Sequence, residues 1–178
     1  IYRCSKLLQT VQWHDYYDIY PRDEGHRVSG DIKIAQGIKS PQLGNKRDII
    51  VYLPPSYAHT NNRYPVLYMH DGQNLFDPAT SFSGEWNVDE TLEELAQQEA
   101  LEAIVVGIPN TGSSRIDEYS PFIDRGHGGG QGNHYVGFIA NTLKHLIDHH
   151  FRTRPQRRQT GIMGSSMGGL ISLYALFR

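Results

Sequence analysis

A single cysteine, Cys4, stands among 178 residues, so no internal disulfide can form and the fold cannot depend on an oxidising compartment. Net charge is nearly absent too: 17 Lys and Arg against 19 Asp and Glu give −2 at pH 7 with the histidines neutral. That excludes the basic footprint of a nucleic-acid binder or of a protein held on an anionic membrane. No apolar run approaches the roughly 20 residues of a membrane-spanning helix. Repeats and low-complexity blocks are missing as well. The opening Ile1-Tyr2-Arg3 has neither a Met nor a signal-like apolar core, so localisation stays open. The length suits one domain with a proper core.

Within that frame the middle of the chain has a regular rhythm. Arg47 to Leu53 is strand-like and is stopped by Pro54-Pro55, since proline cannot donate to a ladder. Val66 to His70 is a nearly unbroken apolar run, as expected of a strand covered on both faces. Val88 to Gln98 carries Leu92 and Leu95 on one helical face, and Ala103 to Ile108 reads as a second buried strand. A polar, glycine-rich passage from Thr111 to Gly132 is too long for an ordinary connection and is expected to be functional or mobile. Tyr135 to Phe151 returns to helical spacing, with Phe138, Ile139, Leu143, Leu146 and Ile147 inward. A short strand, Thr160–Met163, precedes a turn and a helix, Leu170–Phe177, expected to be buried. Strand alternating with helix predicts an α/β fold with a mostly parallel wound sheet and helices on both faces. Residues 1–27 are set apart as an N-terminal extension, and Val28 to Ile34 is placed as an outer antiparallel strand.

Gly164-Ser165-Ser166-Met167-Gly168 matches G-x-S-x-G with Ser166 at its centre. The spacing has a steric cause: a serine held out between strand and helix needs glycines two residues away on each side, so that the backbones can approach. The helix that starts there turns free N–H groups and its positive end toward any anion forming beside Ser166. Acyl transfer also needs donors for that anion. The Met167 N–H is one candidate, and the Gln73 N–H, in the loop His70-Asp71-Gly72-Gln73-Asn74, is the other.

The ordered set of Arg47 to Tyr57, Val66 to Asp77, Asn110 through Arg115 to Tyr119 and the Ser166 turn resembles the putative-esterase (esterase D-like) branch of the α/β-hydrolases. The resemblance spans residues 28–178. It implies a Ser-His-acid carboxylesterase with Ser166 as nucleophile, Met167 and Gln73 as backbone oxyanion donors, and no cofactor. It leaves the substrate open, as a small-molecule or carbohydrate-linked ester.

What the chain lacks after Ser166 is equally informative. Met167 to Arg178 contains no carboxylate and no histidine, whereas this fold orders its triad Ser, acid, His. Of the upstream histidines, His70 lies nearest, at a strand end. The simpler expectation is that base and acid belong to a remainder of the domain outside these residues. Without it a buried-type strand edge and an apolar helix would be exposed.

Other candidates are weaker. His127-Gly128-Gly129-Gly130 resembles an HGGG oxyanion loop but follows the wrong strand, and reads as a surface loop. His145 and His149 have the i, i+4 spacing of a zinc pair without the expected glutamate, so no metal is expected. Arg115, at the carboxyl edge of a strand, is a candidate substrate grip, or else pairs with Asp117 or Glu118. Trp86 is a candidate pocket wall. Alternatives to hydrolysis are an acyltransferase on the same scaffold and a catalytically inactive binding module.

Overall fold

The computed structural model describes residues 10–99 and 101–178. Cys4 and the opening residues lie outside these. The chain forms β1 (His14–Asp15), α1 (Tyr16–Ile19), β2 (Asp31–Ser40), β3 (Asn45–Leu53), β4 (Val66–His70), α2 (Val88–Glu99) and β5 (Ile104–Ile108). There follow α3 (Arg115–Tyr119), the short strands β6 (Ile123–Asp124) and β7 (Gly128–Gly129), α4 (Gly132–Phe138), α5 (Lys144–His150), β8 (Thr160–Met163) and α6 (Met167–Leu176). A π-helical stretch, Ile139–Leu143, joins α4 to α5.

Six strands make one sheet in the order β1-β2-β3-β5-β4-β8. β1, β2, β3 and β5 pair antiparallel in succession, while β5, β4 and β8 run parallel. The parallel part carries the apolar runs because both of its faces are covered. Alternation along each strand divides the core. Ile49, Val51, Leu53, Val66, Tyr68, Ile104, Val106 and Ile108 pack with Tyr119, Tyr135, Phe138, Leu143 and Ile147 from α3 through α5. Ile50, Tyr52, Met69 and Val105 face the other way, onto Tyr16, Leu75 and Phe76, with Trp86, Val88 and Leu92 beside them. Each strand is thus gripped from both sides, which fixes register, since a one-residue slip would exchange the two faces.

Several expectations need adjustment. β2 is not outermost: β1 pairs with it, and it runs from Asp31 to Ser40, with a register shift between Ala35 and Ile38. β1 and α1 fall inside the stretch set apart as an extension, yet Tyr16 is buried in the second core. The passage after Thr111 is organised by α3 and the β6–β7 hairpin. Helix α6 is exposed along much of its length, as expected of it without the remainder of the domain. Gly168 and Ile171 are buried, but Leu170 is 50%, Leu173 55% and Phe177 78% exposed. β8 is an edge strand of the sheet.

Candidate active site

β4 and β8 run side by side, with Met69 opposite Met163, so the loops that leave their carboxyl ends meet at one rim. From β8 the chain turns through Gly164-Ser165-Ser166 into α6. Ser166 caps that helix with φ 53° and ψ −119°, a conformation that L-residues avoid and that only the surrounding packing can hold. The packing is visible at Gly164, where an added Cβ would lie 2.8 Å from the Gly168 carbonyl carbon and 2.8 Å from His70 Cδ2. The crossing is so close that only glycine fits. Ser166 is left exposed at the rim, and Met167, the first residue of α6, is half-buried against the core.

From β4 the chain turns through Asp71, at φ 55°, into a 3-10 turn, Gly72–Asn74. A Cβ on Gly72 would lie 2.6 Å from the Gly107 carbonyl carbon, so this turn sits directly on β5. The Gln73 N–H stands in the first turn, where a helical N–H has no partner of its own. Gln73 Oε1 accepts the Asn110 N–H at 3.2 Å, and its carbonyl accepts the Thr80 hydroxyl at 2.8 Å. A cavity of about 330 Å³ opens here, lined by Gln73, Trp86, Arg115, Ser165 and Ser166, with Phe82 at its mouth. Four of the five residues singled out for this site therefore share one cavity. The fifth, Met167, adjoins it through the chain.

The cavity floor is charged. Arg115 Nε and Nη2 donate to Asp71 Oδ1 and Oδ2, each at 2.8 Å, and Asn110 Nδ2 donates to Asp71 Oδ1 at 2.7 Å. Burial pushes the Asp71 carboxyl up, but these donors outweigh it and hold the group below the ordinary carboxylate range. Arg115 is thus bound to Asp71, and not to Asp117 or Glu118, while it still lines the cavity.

His70 lies elsewhere. It is fully buried, with Nδ1 2.8 Å from the Tyr135 hydroxyl and Nε2 3.1 Å from Ser172 Oγ. Ser172 Oγ donates to the Gly168 carbonyl at 2.8 Å, so it accepts from His70 Nε2–H, which leaves Nδ1 to accept from Tyr135. Burial pushes the imidazole down to about 4, so it is neutral at pH 7. Both ring nitrogens are engaged away from Ser166. His127 is exposed on the β6–β7 hairpin beside Asp124, and His145 and His149 are exposed on α5.

Sequence reasoning missed the residues that hold the rim. Asn74 Oδ1 accepts the Phe82 N–H at 2.9 Å, and the Asn74 carbonyl accepts the Trp86 N–H at 2.9 Å, which pins the pocket loop. Asp77 gathers the Tyr16 hydroxyl at 2.7 Å, His26 Nδ1 at 2.7 Å and the Ala79 N–H at 2.9 Å. The only local signal was their place in the stretch following β4.

A sheet of this order, with a serine at a strand–helix corner beside the loop of the neighbouring parallel strand, is that of an α/β-hydrolase. Residues 40–178 match the family described as "Putative esterase", and the chain belongs to that family. Among curated proteins it is similar to "Uncharacterized protein YbbA" of Bacillus subtilis (strain 168), with 35% identity over 147 residues, 77% of this chain and 53% of that protein. The chain thus spans about half the length of that relative. Its fold is similar to an IroE-like serine hydrolase from Shewanella oneidensis (TM-score 0.65, 25% identity, 82% of this chain and 46% of that one). It is also similar to the BES protein from Bacillus cereus (TM-score 0.63, 24% identity, 81% and 55%). A third likeness is the enterobactin esterase FES from Shigella flexneri (TM-score 0.60, 21% identity, 81% and 32%).

Proposed function

We propose that the protein is a serine carboxylic-ester hydrolase in which Ser166 attacks the ester carbonyl and the Met167 and Gln73 N–H groups receive the oxyanion. The observation that carries this reading is the backbone of Ser166, φ 53° and ψ −119° at the mouth of α6. Strain of that kind persists only where neighbours enforce it, and here it lifts the hydroxyl toward a cavity that also contains Gln73. Each well-aimed donor contributes roughly 3 kcal/mol to the transition state. The positive end of α6 adds to the same field.

The reaction needs a base for the Ser166 proton and an acid to orient that base. Among the described residues the cavity lining holds no histidine, and its one carboxylate, Asp71, is bound to Arg115. The base and acid are therefore assigned to the remainder of the whole protein, beyond these 178 residues. Edge strand β8 and the exposed leucines of α6 form the surface that this remainder would cover. Purification of residues 1–178 alone as a cooperative, non-aggregating monomer would overturn that part of the reading.

The substrate is a small ester with a ring on its acyl or alcohol side, because Trp86 and Phe82 offer flat apolar faces beside Ser166. The test is labelling of the full-length protein with a fluorophosphonate, together with hydrolysis of aryl and acyl esters. Labelling and turnover lost in Ser166→Ala, and kept in Ser165→Ala, support the assignment. An unlabelled, inactive wild-type protein would sink it.

A further inference from the structure

Beside the pocket loop lies a group of carboxylates that ester chemistry does not use. Glu85, Asp89 and Glu90 offer oxygen atoms that all lie within 4.8 Å of one another. Asp89 is completely buried. Its Oδ2 accepts the Ser29 N–H at 2.6 Å, and the Ser29 hydroxyl donates to Glu90 Oε1 at 2.9 Å. Asp89 Oδ1 and Glu85 Oε1 are also buried, and neither has a hydrogen-bond partner among the described residues. No Lys, Arg or His among those residues pairs with any of the three. Acidic residues in a first helical turn ordinarily answer the helix dipole. That accounts for Glu90, which is exposed. It does not account for Asp89, a buried carboxylate beside two others whose Oδ1 is sealed from water.

We propose that Glu85, Asp89 and Glu90 hold a hard divalent cation of calcium size. Donors that are all carboxylate oxygens select such an ion over zinc or copper. Two oxygens on one ion at about 2.4 Å are separated by at most about 4.8 Å, and the oxygens of the three carboxylates lie within that limit of one another. Magnesium demands near-ideal octahedral geometry and gives up its waters reluctantly, so a site built from protein carboxylates suits calcium better. Three formal negative charges far exceed the roughly half charge of the helix end, so the field at the cluster favours a cation.

The ion would tie the loop at Glu85 to the start of α2, to which the Ser29 segment is already hydrogen-bonded. Ser29 leads into β2, Asp89 and Glu90 open α2, and Glu85 precedes Trp86 at the cavity wall. It would therefore fix the wall without touching the reacting atoms.

The experiment uses the full-length protein, stripped with a chelator and titrated with calcium chloride at neutral pH by calorimetry and by thermal melting. One equivalent should bind with a Kd of about 10⁻⁵–10⁻³ M, and Tm should climb with calcium as mass action requires. Asp89→Asn should weaken binding by about tenfold or more. Glu90→Gln, at an exposed position that folding tolerates, should do likewise, and it keeps the test valid if Asp89→Asn fails to fold. Absence of both heat and a Tm shift at millimolar calcium overturns the proposal. So does binding that neither Glu90→Gln nor Glu85→Gln changes. A Tm that responds to pH but not to calcium would assign the cluster to a shared proton instead.

Discussion

Arg115 clasps Asp71 through a two-pronged pair, Nε to Oδ1 and Nη2 to Oδ2, both at 2.8 Å. Asp71 stands at φ 55°, where a side chain costs a non-glycine residue about 1–2 kcal/mol. Its N–H donates to the Tyr119 hydroxyl at 3.1 Å. The pair therefore holds a strained residue at the root of the turn that presents Gln73. Lysine keeps the charge but not the fork. Arg115→Lys is expected to lower kcat/KM by about 10–100-fold, equivalent to roughly 1–3 kcal/mol, while Tm moves by only a few degrees. Steady-state kinetics beside a melt check this, and unchanged kinetics would show that the turn stands without the pair.

His70 makes stability depend on acid. Its folded value of about 4 lies below the ordinary 6.5, so between those pH values the unfolded chain binds a proton that the native state refuses. Its contribution is thus complete above pH 6.5 and is lost as pH falls toward 4. The loss is on the order of 3 kcal/mol. Denaturant midpoints measured across that range should fall steadily. His70→Gln, which keeps a donor and an acceptor for Tyr135 and Ser172 but does not titrate, should flatten this part of the profile. A variant as acid-sensitive as the wild type would assign the effect to other groups.

How far the sequence foretold these relationships depended on whether the cause was local. β4 and β5 were legible because a strand covered on both faces must be apolar throughout. The inward residues Phe138, Leu143 and Ile147 were legible because helical spacing aligns them. β2 was read three residues early and six short, since the register shift after Ala35 breaks its alternation. The α6 leucines read as a buried helix that would lie exposed without the remainder of the domain, since composition reports apolarity and not what lies over it. Arg115 and Asp71 are 44 residues apart, and no spacing announces such a pair. Asp89 was passed over for the same reason: at a helix start an acidic residue reads as solvent-facing, and only the Ser29 segment folding over it makes it buried.

Gly164 and Gly137 should respond oppositely to alanine. At Gly164 the new methyl would meet Gly168 and His70 at 2.8 Å, and neither backbone nor buried ring can retreat. Gly164→Ala should destabilise the protein by roughly 1–3 kcal/mol and abolish labelling of Ser166 by displacing the corner. Gly137, inside α4, has nothing nearer than Gln42 Cγ at 3.7 Å. Gly137→Ala should stabilise by about 0.5–1 kcal/mol through helix propensity with activity unchanged. Paired melts and fluorophosphonate labelling check both.

Arg47 and Glu118 form another buried charge pair, between β3 and α3, with Nη2 2.8 Å from Oε1 and both side chains 2% exposed. Asn45 Nδ2 also donates to Glu118 Oε1 at 2.7 Å, but Arg47 Nε and Glu118 Oε2 have no hydrogen-bond partner among the described residues. A pair satisfied only in part repays little of what it costs to take both ions out of water. Removing one member is another matter, because it leaves the other charge buried alone. Arg47→Met should therefore destabilise by about 3–5 kcal/mol. The double variant Arg47→Met/Glu118→Leu should recover most of that loss, since its side chains fit among Tyr135 and Phe138, which the Arg47 guanidinium already overlies at 5.4 and 5.2 Å. A double-mutant cycle by urea unfolding measures the coupling directly. A double variant no more stable than Arg47→Met would mean that the pair, rather than the space it fills, anchors α3 to the sheet.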